Sequence, residues 1–356
     1  MELYSVENIE SMASTFGIVN ALFGAVKCNN IDSIKVLIGK EGFDINVMNS
    51  IGNTALSIAC MFNHIGVVKL LVENGAEINT KNHDGKSPLY YVSKNLDIVK
   101  YLIENGAEVD ILDNKNYTPL FRAVKTGKIE VAKYLIENGA NVNNRSKYKT
   151  TPLHYASSED HIEIIKLLLD NGAEVNAQDD LGETPLIYVS SLESTQILLS
   201  YGADPTIRNL DGKNALHICA IWNQSDIIDI LVKHGADVNA QDKNEKTPLH
   251  DAAELGYNEV IKQLIKNKAN VDVKDISGNT PLFRAVWNNH IETVKLLLSH
   301  GADKNIKNES GKSPLDISKS KNNMKMTKLL NDDVFKSNQS DSLTNDYLDL
   351  FNFHST

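Results

Sequence analysis

The sequence predicts an all-α fold: a solenoid of about ten helix–turn–helix repeats with β-hairpin-like finger loops between them. Three observations predict it. A Thr, Ser or Asn that opens each unit recurs at Asn20, Thr54, Ser87, Thr118, Thr151, Thr184, Asn214, Thr247, Thr280 and Ser313, and most of these steps are 33 residues. Each unit carries two apolar-periodic runs of helical spacing. A glycine closes the second run in most units, and a polar segment then returns the chain to the next marker.

The unit from Thr151 to Asp179 shows why each element forms. Thr151 is placed to cap the first helix, its hydroxyl accepting an early helical N–H. Pro152 takes the first helical position, where its missing N–H costs nothing. Ile162, Ile164, Ile165, Leu167, Leu168 and Leu169 supply the buried face of the second helix. Gly172 stands where a left-handed residue ends that helix. Glu174–Leu181 and Gly182 turn the chain back.

Thr247-Pro248-Leu249-His250-Asp251-Ala252-Ala253 and Gly235-Ala236-Asp237-Val238-Asn239-Ala240, at a period of 33, resemble the ankyrin-repeat family residue by residue. The resemblance covers roughly Asn20 to Leu330. It implies a stack of helix pairs in which each repeat touches only its neighbours.

Taken in order, residues 1–19 are expected to be an N-terminal capping segment, with Val6–Met12 as a short helix. Residues 20–331 form the array. The third repeat, from Ser87, is short by two residues near Ser93-Lys94, and the sixth, from Thr184, by three near Ser190-Ser191. Both deletions shorten the first helix, and both repeats keep their helical periodicity. The turn before each marker carries a glycine at Gly52, Gly85, Gly182, Gly212, Gly278 and Gly311. Asn116, Lys149 and Glu245 take that place elsewhere. Asn tolerates a left-handed backbone, so the Lys149 and Glu245 turns are expected to be strained or differently shaped. Residues 332–356 leave the repeat as a flexible tail whose end, Tyr347–Phe353, is apolar again.

Composition narrows the function. A net charge of −10 argues against a nucleic-acid surface, which draws on clustered Lys and Arg. No run approaches 18 apolar residues, so no membrane insertion is expected. The start of the chain lacks a basic region followed by an apolar run, as a secretory signal would have. Cys60 and Cys219 fall at small-residue positions of first helices and Cys28 near a helix end. An odd, unpaired set fits a reducing, cytoplasmic location.

The residues of chemistry sit in scaffold positions. His154, His217 and His250 belong to the Thr-Pro-Leu-His segment, and the resemblance implies that their imidazoles bridge neighbouring turns. His64, His161 and His290 share the turn between helices. No Cys/His set has zinc spacing, no phosphate loop follows a strand, and no nucleophile departs from its repeat role. Neither enzyme activity, a cofactor, a metal nor a small-molecule substrate is expected.

What varies between repeats points to a protein partner. The resemblance implies binding on the concave side, through fingertips and the exposed ends of first helices. The chain's two tryptophans, Trp222 and Trp287, both fall at first-helix ends, with Phe62, Ile221 and Leu255 at equivalent places. Packing does not demand aromatics there, and tryptophan is enriched in binding hot spots. Tyr117 and Tyr148, with Lys147 and Lys149, make a fingertip patch. The leading expectation is therefore a non-enzymatic interaction module. The alternative is an adaptor or host-directed effector that holds a client on the repeats and recruits a second protein through the tail. A chain rich in Lys, Asn, Ile and Asp fits the AT-rich genomes of protists, intracellular bacteria and large viruses.

Overall fold

Helix starts follow from the caps. Thr54 Oγ1 accepts the N–H of Ser57 at 3.2 Å, and Thr280 Oγ1 that of Phe283 at 3.3 Å. Thr247 instead donates its N–H to His250 Nδ1 at 3.0 Å, closing a capping box through the imidazole. Proline fills the first helical position after Ser87, Thr118, Thr151, Thr247, Thr280 and Ser313. Second helices stop at residues with positive φ, Gly106, Gly139 and Gly172 among them. Lys268 does the same with φ 70° where neighbouring repeats have glycine.

The computed structural model describes residues 15–92 and 95–331. The expected helix at Val6–Met12, the deletion at Ser93-Lys94 and the tail from residue 332, Tyr347–Phe353 included, lie outside the described residues. The chain divides into two units, Met1–Asp180 and Leu181–Thr356. In the first, helix pairs are α1 Thr15–Lys27 with α2 Ile31–Ile38, α3 Ala55–Met61 with α4 Ile65–Glu73, and α5 Pro88–Tyr91 with α6 Leu96–Glu104. They continue with α7 Pro119–Lys125 and α8 Ile129–Glu137, then α9 Pro152–Ser158 and α10 Ile162–Asp170. The second unit opens with a 3₁₀ turn, Pro185–Tyr188, and α11 Leu192–Ser200. Its other pairs are α12 Ala215–Ile221 with α13 Ile228–Lys233, and α14 Pro248–Leu255 with α15 Asn258–Lys266. Last come α16 Pro281–Trp287 with α17 Ile291–Ser299, and α18 Pro314–Ser320 with α19 Met324–Asn331.

In each unit the first helices pack on one another as one layer and on their second helices as another. The core lies between the layers. Leu56, Leu71, Ile98, Leu102, Leu120, Leu135, Leu153 and Ile164 are fully buried in the first unit, and Leu216, Leu249, Leu264 and Leu297 in the second. In α10, Ile164, Ile165, Leu168 and Leu169 are buried as expected, while Ile162 and Leu167 are half-buried. Cys60 and Cys219 are buried and Cys28 is exposed, all three as free thiols. Burial pushes the Cys60 and Cys219 thiols up.

Neighbouring repeats are tied by polar contacts at fixed offsets. Asn79 Oδ1 accepts the N–H of Glu108 at 2.9 Å, and Asn79 Nδ2 donates to the Gly106 carbonyl at 3.0 Å. Asn143 repeats the pattern on Glu174 and Gly172. The fingers bond to one another through backbone: Asn114 N–H to Asp84 O at 2.9 Å, Lys147 to Lys115 at 3.0 Å, Lys243 to Asp211 at 2.9 Å and Glu309 to Ser277 at 3.0 Å. Each finger is a tight turn. Among the described residues the sole bridge of β type pairs Met48 with Thr54.

Of the two outcomes expected at Lys149 and Glu245, strain or a different shape, the backbone takes the first. Lys149 and Glu245 adopt φ of 56° and 57°, and their turns keep the shape of the glycine turns. Lys149 N–H bonds Ser146 O at 2.9 Å, as Gly278 bonds Asp275 at 2.7 Å. Turn and ladder bonds together over-determine the conformation, so the strain is carried without a change of shape. One expectation needs correcting: Asn20 is not a cap, because it lies inside α1, which is already helical from Thr15.

Candidate partner-binding surface

The backbone places the candidate residues at two kinds of site. First helices end where the chain turns left-handed, at Asn63, Asn223, Gly256 and Asn289. The residues just before that turn cannot face the core and are left at the rim. Phe62 and Trp222 are C-caps, and Ile221, Leu255 and Trp287 are the last helical residues. Tyr148 occupies a fingertip.

These residues differ in how the scaffold holds them. Trp222 is 71% exposed, and among the described residues no ring or cation contact holds its indole. Trp287 is 49% exposed. Its ring lies 6.4 Å from the Phe283 ring and nearly parallel to it, and Lys321 Nζ stands 4.0 Å over its centroid. Lys321 also donates to the Trp287 carbonyl at 2.6 Å. Trp287 thus anchors the lysine of the next repeat while keeping half of its surface open. Phe62 stacks on His64 at 6.0 Å, and His64 Nε2 reaches the Lys27 carbonyl at 3.2 Å. Leu255 is exposed and Ile221 is half-buried.

Tyr148 is 50% exposed at its fingertip, but Tyr117 turns away from solvent. Its hydroxyl is 2.6 Å from that of Tyr155, and its ring packs on Phe121 at 5.1 Å. Burial, and then the contact with Tyr155, raises the Tyr117 phenol above its ordinary range. Tyr117 thus belongs to an aromatic cluster on the first-helix face, with Tyr90, Phe121 and Tyr155. Aromatics recurring three and four residues after the marker were the sequence signal for that cluster.

The second unit carries a charged cluster at the same helical positions. Asp251 is buried, and Lys213 and Lys246 stand 4.0 and 3.8 Å from its carboxylate oxygens. Burial raises its carboxyl to about 6 against the pull of the two lysines. Lys246 also pairs with Glu254 at 2.6 Å. Arg284 Nε donates to Asp275 Oδ2 at 2.9 Å. Burial opposes charge on Asp275, but the Arg284 and backbone hydrogen bonds outweigh it and hold the carboxyl below its ordinary range.

His250 and His217 do scaffold work. His250 Nδ1 accepts from Thr247, so its Nε2–H donates to the Asn279 carbonyl of the next repeat at 3.0 Å. His217 reaches the Lys246 carbonyl in the same way at 3.0 Å. Burial lowers both imidazoles to about 4. Among the described residues no group of three or more His, Cys, Asp or Glu is arranged to hold a metal, and no helix is long and apolar enough to cross a membrane.

The family description "Ankyrin repeats (3 copies)" matches residues 22–113, 92–179, 177–242 and 236–308. The chain belongs to the ankyrin-repeat family. Over 62 residues it is 36% identical to an ankyrin repeat protein of Fowlpox virus (strain NVSL). That match covers 17% of this chain and 14% of the viral protein, a small part of either. Ankyrin repeats are in general protein–protein interaction modules. The rim and fingertip side chains described above are the parts of these ankyrin repeats that their stacking leaves open.

Proposed function

We propose that the chain is a non-enzymatic protein-binding module, which holds a partner protein on the concave face and fingers of its ankyrin repeats. Trp222 is the principal anchor. The observation that carries this reading is its exposed indole, set at a helix C-cap and held, among the described residues, by no other ring or cation. Tryptophan has only two side-chain torsions to fix on binding and a large area to bury. Leu255 and Ile221 extend the apolar rim. Trp287 contributes the part of its ring that Lys321 leaves open, and Phe62 and Tyr148 offer contacts in the first unit.

The test is affinity capture of a partner from the source cell, followed by titration of wild type against Trp222→Ala. The variant should lose at least about tenfold in affinity. Its unfolding free energy should stay within about 0.5 kcal/mol of wild type. A partner that binds both proteins equally well would remove Trp222 from the site.

A further inference from the structure

The segment Pro-Leu-Phe-Arg-Ala-Val occurs twice, at 119–124 and 281–286. In both copies the arginine follows the marker by four residues, and an aspartate precedes the marker by five. Asp113 and Asp275 play the same backbone role. Asp113 Oδ1 accepts the N–H groups of Lys115 and Tyr117, and Asp275 Oδ1 those of Ser277 and Asn279. The arginines part company. Arg284 is ion-paired with Asp275 through Nε and Nη2. Arg122 Nε is buried with no hydrogen-bond partner, and the guanidinium lies 5.9 Å from the Tyr90 ring centroid.

The surroundings explain the difference. Asn279, just before the second marker, is replaced by Tyr117 before the first. His250 and Asp251 of the preceding repeat are replaced by Tyr90 and Tyr91. Arg284 stands among carboxylates and Arg122 among phenols. The result is a cavity of about 70 Å³ lined by Tyr90, Tyr117, Phe121, Arg122, Lys125 and Tyr155. Among the described residues, two cations line it and no carboxylate does. Lys125 Nζ lies 5.4 Å over the Tyr155 ring, while Lys86, 5.5 Å from the Tyr90 ring centroid, is paired with Asp84.

We infer that this cavity receives a glutamate or aspartate side chain of a partner polypeptide, with Arg122 and Lys125 as its counter-charges. The proposal rests on the reading of the array as a protein-binding module, but on different residues. Arg122 and Lys125 line the cavity with positive charge, and a carboxylate offers the planar geometry that a guanidinium fork matches. The volume is roughly that of two water molecules, enough for a carboxylate and its methylene. The ring faces give the adjoining apolar atoms a seat.

The test is selection of phage-displayed random peptides on the full chain, followed by calorimetry of one enriched peptide. The pool should be enriched in Glu or Asp beside an apolar residue. Arg122→Gln should weaken the peptide by at least about tenfold, and changing the peptide's acid to its amide should do the same. The two changes together should cost little more than either alone. Arg122→Lys, which keeps the charge but not the fork, should fall between, and serves if Arg122→Gln fails to fold. Arg284→Gln should leave the affinity unchanged. A pool without acidic preference, no enriched peptide, or an affinity indifferent to Arg122 would each overturn the inference. Equally tight binding of inorganic phosphate or N-acetylglutamate alone would overturn it too, by making the site one for small anions. Peptides that depend on Trp222 but not on Arg122 would sink this inference and leave the proposed function standing.

Discussion

At the scale of the residue, identical positions in successive repeats behave differently because their neighbours differ. The finger turn shows this most simply. Gly85 has φ 80°, and a Cβ there would come within 2.6 Å of the Asn114 backbone nitrogen. Gly85→Ala should therefore cost about 1–3 kcal/mol, from backbone strain and from a weakened finger-to-finger bond. Lys149 already holds φ 56° with a side chain in place. Lys149→Gly relieves a left-handed cost of about 1–2 kcal/mol and gives part of it back as unfolded-state entropy. Urea denaturation should show a gain of no more than about 1 kcal/mol. Equal and opposite effects at the two sites would mean that the two fingers approach their neighbours alike. The two arginines of the repeated hexapeptide make the same point in charge: Arg284 is neutralised within its repeat, and Arg122 is not.

At the scale of the element, the first helices of the third and sixth repeats are cut short. Pro88–Tyr91 is a single turn of α-helix and Pro185–Tyr188 a 3₁₀ turn, whereas the other first helices of repeats with Pro at the first helical position run seven or eight residues. Their partner helices, Leu96–Glu104 and Leu192–Ser200, keep nine residues and a buried face. The repeats fold, therefore, on the strength of the second helix. The short turns have fewer and poorer internal hydrogen bonds. Hydrogen exchange should find the amides from Leu89 to Val92 and from Leu186 to Val189 at least about tenfold faster than those from Leu120 to Val124 and from Leu249 to Ala253. Equal protection would show that the neighbours, and not the helix itself, set local stability.

At the scale of the whole molecule, the capping histidines make stability depend on pH. His217 and His250 titrate near 6.5 when unfolded and at about 4 when folded. Between those values the unfolded chain binds more protons, so their contribution is full above pH 6.5, falls as pH drops, and levels off below 4. Asp251 works the other way. Its folded carboxyl at about 6 takes up a proton that the unfolded one releases down to about 4, so it favours the fold as pH falls through that window. Two histidines outweigh one aspartate of similar size, and the net loss from pH 7 to pH 4 should be on the order of 3 kcal/mol. Denaturation curves across that range should flatten for His250→Gln and steepen for Asp251→Asn. A profile that ignores both substitutions would remove these groups from the linkage.

The period of 33, the Thr-Pro-Leu-His caps and the apolar spacing were enough to define helix pairs, their order and their shared core, because each repeat's fold depends on contacts local in sequence. They also placed Trp222, Leu255 and Tyr148 at open positions. Three things were decided only in the tertiary structure. Lys149 and Glu245 keep the turn of a glycine because the adjoining finger holds them there. Trp287 is engaged by Lys321 from the next repeat. Tyr117 leaves the fingertip for Tyr155, and with that move Arg122 is left unpaired beside a cavity. Each of these depends on which side chain the adjacent repeat supplies at contact distance. The repeat pattern fixes the place of a side chain, and the neighbouring repeat decides its partner.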